Sequence, residues 1–106
     1  MSAPLAVDPA TAAQWLRAGA VLLDVREAEE LAICQLAGAR HVPMGEISAR
    51  LDELPRDRAL LVLCHHGARS LHVTRFLRGQ GFDQASNVAG GIDAWAREVD
   101  PTLARY

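Results

Sequence analysis

No apolar run in this chain approaches the roughly 20 residues of a membrane span, so no membrane-crossing helix is expected. The opening residues, MSAPLAVDPA, lack the basic start and the apolar stretch of a secretory signal, and a soluble cytoplasmic protein is the expectation. An excess of positive charge is missing too. With 11 basic and 13 acidic side chains and a formal net charge of −2, there is no basic stripe to bind nucleic acid or an anionic membrane. Cysteine is scarce: Cys34 and Cys64 stand alone, and without export such thiols stay reduced. Cys64, His65 and His66 are contiguous rather than spaced as ligands, so no metal is expected. The chain has no serine triad, no G-x-x-x-x-G-K-S/T and no G-x-G-x-x-G, and Gly90-Gly91 reads as a turn. Internal repeats, low-complexity tracts and linkers are absent as well.

What is present is a 50% hydrophobic composition over 106 residues. That is enough for one compact domain, residues 1–106 with a core from about 7 to 97, to bury a core without disulfides. Strand and helix signals alternate, the pattern of an α/β domain with a mainly parallel sheet. Asp8 caps a helix that has Pro9 at its first position, carries Ala12, Trp15 and Leu16 at helical spacing, and ends at Gly19. Residues 21–25 (VLLDV) form a buried strand, residues 27–31 a short helix, and residues 40–42 a brief strand before Pro43. Ile47, Leu51 and Leu54 mark a further helix closed by Pro55. Residues 59–63 (ALLVL) are the central strand, and Val73, Phe76 and Leu77 define the apolar face of the helix after it. Residues 85–88 and 92–97 complete the pattern as a strand and a helix.

The central strand runs straight into CHHGARS, residues 64–70, and a helix follows. Open parallel sheets bind ligands outside the carboxyl ends of their strands, and Cys64 sits at such an end. A cysteine between strand end and helix start faces backbone amides and the positive end of the helix dipole, and both favour the reactive thiolate. Gly67 allows successive amides to turn inward as an anion nest. Arg69 adds a planar fork of donors, and His65 and His66 add two more that gain charge near neutral pH. Taken singly, Cys64 reads as a buried structural thiol, the histidines as loop residues and Arg69 as a surface residue. Their conjunction within seven residues reads as a cradle for a nucleophilic sulfur and an anionic substrate.

CHHGARS resembles the active-site loop of rhodanese-like domains, which begins with the cysteine that becomes persulfidated. LLDVRE, with Asp24 and Arg26, resembles the family's D-x-R segment; AGARHVP resembles its G-A-x-x-I-P stretch; VAGGIDAW resembles its G-G-x-x-x-W segment. The likeness covers residues 7–97 in the family's order. It departs at Cys34-Gln35-Leu36-Ala37, where many members have G-H-I-P. The resemblance implies a central, mainly parallel five-stranded sheet flanked by helices on both faces. It also implies a loop made of His65, His66, Gly67, Ala68, Arg69 and Ser70 around Cys64, with loop support from Asp24 and Arg26. Related phosphatases and arsenate reductases have a cysteine loop one residue longer. The four residues here, His65 to Ala68, match the tighter sulfurtransferase loop.

The implied reaction takes sulfane sulfur from a small anionic donor such as thiosulfate onto Cys64. It then passes that sulfur to cyanide, a thiol or a protein acceptor, with no cofactor. The alternative is a non-enzymatic module that carries sulfur, senses redox state or binds a protein. Cys34 has two readings, a resolving thiol for Cys64 or a filler of a small apolar site. Asp24 and Arg26 read equally as a structural ion pair or a helix cap. His41 and the two tryptophans read as packing residues, Glu29 and Glu30 as a solvated helix face, and His72, Arg75 and Arg78 as a basic face beside the loop. The sequence leaves the physiological donor, the acceptor and the oligomeric state open.

Overall fold

The computed structural model describes residues 3–106. Its strands are β1 (Ala6–Val7), β2 (Val21–Asp24), β3 (Arg40–His41), β4 (Leu60–Leu63) and β5 (Ala85–Val88). They form one sheet in the order β1-β5-β4-β2-β3, every pairing parallel. The helices are α1 (Pro9–Arg17), α2 (Ala28–Ile33), α3 (Ala68–Gly79) and α4 (Gly91–Glu98), with 3-10 segments at Met44–Ala49 and Leu51–Glu53. No helix among the described residues is long and apolar enough to cross a membrane.

Successive side chains of a strand point to opposite faces, so a central parallel strand needs apolar residues at every position. β4 satisfies this. Leu60 and Val62 enter a core with Leu23, Val25, Ile47, Val73 and Leu77, which packs α3 and the 3-10 segments on one face. Leu61 and Leu63 enter a second core with Leu22, Ala12, Ile92 and Trp95, which packs α1 and α4 on the other. Helices therefore cover both faces, as expected.

Local signals account for several boundaries. Asp8 Oδ1 accepts the Thr11 amide at 2.7 Å, capping α1 just before Pro9. Glu27 precedes α2, and its amide donates to Glu30 Oε1 at 3.0 Å in a reciprocal capping box.

Other expectations change. β1 was not anticipated: two residues are too few to show a period. The helix expected around Ile47, Leu51 and Leu54 is instead two 3-10 segments broken at Arg50, with only Ile47 and Leu54 buried. On α3, Val73 and Leu77 are buried, but Phe76 lies 37% exposed beside Met44 at a shallow groove.

The topology fixes where a site can form. From β2 the chain proceeds outward to β3, whereas from β4 it proceeds outward to β5 in the opposite direction. The adjacent carboxyl ends of β2 and β4 are thus the switch point, where diverging connections leave a crevice. The Val25 amide donates to Leu63 O at 3.0 Å, holding these two ends together immediately before Cys64 and Arg26.

Candidate active site

Cys64 follows β4 and is 1% exposed. The chain then turns through His65, His66 and Gly67, and Ala68 begins α3. Gly67 has φ +104°, a left-handed conformation that side chains rarely adopt, and this turns its amide back onto the sulfur. Gly67 N lies 3.1 Å from Cys64 Sγ. Ser70 Oγ, in the first turn of α3, lies 3.2 Å from the same sulfur. The next amides, of Ala68, Arg69 and Ser70, are among the helix-starting amides that lack an intrahelical acceptor. The sulfur thus has donors on one side and the positive end of a 12-residue helix behind them.

Ser70 makes a second contact, 2.5 Å to Asn87 Oδ1 on β5. A hydroxyl has one proton, so it donates either to Asn87 or to the sulfur. Donating to Asn87, it can accept the thiol proton of Cys64; donating to Cys64, it stabilises an anionic sulfur. Asn87 Nδ2 also donates to Gly67 O at 3.3 Å, fixing the loop from the neighbouring strand.

Two of the loop carbonyls are held by the first turn of α4. The Ile92 amide donates to Cys64 O at 2.8 Å and the Asp93 amide to His65 O at 3.1 Å. This requires close backbone approach. A Cβ on Gly91, which has φ +63°, would stand 2.4 Å from His65 O and 2.5 Å from Cys64 O. Gly90 lies in a turn, as expected, but Gly91 already opens α4, and the pair is also the seat of the loop.

A chain of charges surrounds this seat. Asp24 and Arg26, both fully buried, pair through Oδ2 and Nη2 at 2.7 Å, with Nε on Oδ1 at 3.0 Å. Arg26 also donates to Glu30 O and Cys34 O, closing the end of α2, and to the Tyr106 hydroxyl at 3.0 Å. Burial alone would lower the Arg26 guanidinium, but its bonds to Asp24 and Tyr106 outweigh that and hold it above its ordinary value. The Tyr106 hydroxyl donates to Glu30 Oε2 at 2.7 Å. Glu30 in turn takes both arms of Arg69, at 2.7 and 2.9 Å. The bonds from Arg69 pull the Glu30 carboxyl down to about 2, against the opposing effect of burial. Partial burial pushes the Tyr106 phenol up to about 12.

A model of the rhodanese-like domain matches residues 8–98. The chain belongs to that family.

A sulfurtransferase of Allochromatium vinosum is 38% identical over 84 residues, spanning 79% of this chain and 78% of that one. The thiosulfate sulfurtransferase GlpE of Actinobacillus pleuropneumoniae is 34% identical over 88 residues, covering 83% and 82%. Among solved structures, a rhodanese-related protein of Thermoplasma volcanium superposes with a TM-score of 0.82 at 32% identity, covering 89% and 92%. The rhodanese-like match and these relatives support sulfur transfer as the general chemistry.

Within this rhodanese-like fold, the residues singled out from the sequence fall into two groups. Cys64, Gly67 and Ser70 meet directly at the sulfur, whereas Ala68 starts the helix beneath it. Asp24 and Arg26 reach the loop indirectly, through Tyr106 and Glu30. His65 lies stacked between His66 and Tyr106, with ring centroids 3.8 and 3.7 Å away. Its Nε2 has no hydrogen-bond partner among the described residues.

Sequence reasoning missed Glu30, Asn87, Gly91 and Tyr106. Glu30 is no solvated face residue, since it is half-buried against Arg69, whereas Glu29 is exposed. His41, read as a packing residue, bonds to Arg26 O at 2.6 Å. Arg78 is not part of a free basic face: it donates to Ala85 O and to the carbonyls of Ala3 and Pro4, fastening the first strand. His65, His66 and Asp93 bring donor atoms within 4.8 Å of one another, but Arg97 and Arg105 already pair with the Asp93 carboxylate. Both cysteines are free thiols, and Cys34 packs beside the core formed by Leu22, Ile92 and Trp95.

Proposed function

We propose that this chain is a sulfurtransferase that carries sulfane sulfur as a persulfide on Cys64. The observation behind this reading is the sulfur itself, fixed at the carboxyl end of β4 with the Gly67 amide and the Ser70 hydroxyl within 3.2 Å. In the first half-reaction the Cys64 thiolate attacks the outer sulfur of a donor such as thiosulfate. The donor's S–S bond breaks, sulfite leaves with the electron pair, and Cys64 becomes a persulfide anion. In the second half-reaction cyanide, a thiol or a protein acceptor attacks the outer sulfur and returns Cys64 to thiolate.

The Gly67 amide, in a loop whose Cys64 and His65 carbonyls are held by α4, stabilises negative sulfur at both stages. Ser70 supplies a proton donor whenever the sulfur is anionic, with Asn87 taking that hydrogen bond otherwise. His65 and His66, the two residues after Cys64, stack on each other in the loop. Each step is a displacement at sulfur, and the groups around Cys64 suffice for it without a cofactor. A cytoplasmic setting accords with two free thiols.

Intact mass before and after incubation with thiosulfate or another sulfane-sulfur donor, beside Cys64→Ser, tests the reading. The expected result is a gain of one sulfur on the wild type, removed by cyanide and absent from the variant. Loading without repeated turnover would indicate a sulfur carrier, and no loading with any donor would overturn the proposal.

A further inference from the structure

We infer that Glu30 is a specificity-determining residue: by holding both arms of Arg69, it steers the site away from dianionic thiosulfate and toward persulfide donors, R–S–SH. This deepens the sulfurtransferase reading and rests on it. The loop has one guanidinium of its own. A free guanidinium there would offer two parallel donors to the oxygens of a sulfonate-type group. In this structure those two donors are on the Glu30 carboxylate instead, at 2.7 and 2.9 Å.

The pair is no loose surface contact. The Glu30 side chain is 18% exposed, and it is held by the Tyr106 hydroxyl at 2.7 Å and by the Glu27 amide at 3.0 Å. Tyr106 is itself fixed by Arg26 and by stacking on His65. Releasing Arg69 therefore means giving up a bidentate contact that two other groups support directly, the Tyr106 hydroxyl and the Glu27 amide. Arg69 stands in the first turn of α3, directly before Ser70, whose hydroxyl contacts the Cys64 sulfur, so its guanidinium belongs to the loop that holds the reacting atom.

Charge counting then separates two donor classes. With thiosulfate, Cys64–S⁻ plus ⁻S–SO₃⁻ gives Cys64–S–S⁻ plus SO₃²⁻, and three negative charges meet in the encounter. With a protonated persulfide, Cys64–S⁻ plus R–S–SH gives Cys64–S–S⁻ plus R–SH. The Cys64–sulfur bond forms, the donor S–S bond breaks, and the proton passes to the departing thiolate. At the reacting sulfurs that encounter carries a single negative charge, which the Gly67 amide, the Ser70 hydroxyl and the helix terminus can accommodate. With its guanidinium already neutralised, the site suits the second reaction.

The experiment compares kcat/KM for thiosulfate and for glutathione persulfide in wild type, Glu30→Gln, Arg69→Ala and the double variant. Glutamine at the third helical position keeps the capping box, so Glu30→Gln removes the charge and leaves the helix start intact. In Glu30→Gln the ratio of thiosulfate to persulfide kcat/KM is expected to rise about tenfold, the scale of one partly screened charge facing a dianion. The gain is expected in KM rather than kcat and should shrink as salt is raised. In the Arg69→Ala background, Glu30→Gln should leave the ratio unchanged. Tyr106→Phe, which removes one support of Glu30, should move the ratio in the same direction by less.

A ratio that stays constant or falls in Glu30→Gln overturns the inference even if Cys64 still loads from both donors. A gain that persists without Arg69 also overturns it. Failure of Cys64 to load from either donor removes the sulfurtransferase reading and this inference together.

Discussion

Arg26 is the largest fully buried side chain among the described residues, where Asp24 is the one carboxylate paired with it. Desolvating two ions is costly, so such a pair adds little net stability, but removing one partner strands the other in the interior. Asp24→Ala is therefore expected to destabilise the fold by about 3–5 kcal/mol, read from urea unfolding as a lower midpoint with an unchanged slope. The pair was legible as Asp24 and Arg26 after an apolar run. Its partners were not, because Tyr106 lies 80 residues away in sequence and no local period points to it. Glu30 was misread for the same reason. On a helix surface beside Glu29 it has the look of a solvated residue, and its partner Arg69 is 39 positions distant.

At the scale of elements, the cysteine loop is shaped as much by α4 as by its own sequence. The strand-to-helix junction at Cys64 could be read directly, since residues 59–63 are all apolar and the loop glycine follows three residues after the cysteine. The role of Gly91 could not, because it depends on how closely two separate segments approach. Gly91→Ala would place a methyl group 2.4 Å from His65 O and force a residue with φ +63° to carry a side chain. The expected outcome is a loss of about 1–3 kcal/mol from backbone strain alone. Sulfur loading measured by intact mass should fall further than stability does, since the displaced loop no longer aims the Gly67 amide at Cys64. The 3-10 segments make the complementary point. Ile47, Leu51 and Leu54 have spacings that suit an α-helix, but Arg50, at φ −123°, interrupts the run and leaves Leu51 half-buried.

For the molecule as a whole, the Glu30 cluster ties α2, α3 and the segment ending at Tyr106 into one unit. The Glu30 carboxyl is held at about 2, below its ordinary 4.5, so the charged form is the one the folded state favours. Its contribution is complete above pH 4.5 and is lost as pH falls from there toward 2. Thermal unfolding of wild type and Glu30→Gln should therefore differ at neutral pH and converge across that acid range. A difference that persists to the bottom of the range would mean that Glu30 acts through shape rather than charge.

The sheet that carries all this is long only at its centre. β2, β4 and β5 have four residues each, whereas the outer strands β1 and β3 have two. An unpaired strand edge is a template on which another chain can build, and the risk grows with its length. Edges this short give an incoming strand too few backbone partners to settle on, so a protein half made of hydrophobic residues can stay dispersed in a crowded solution.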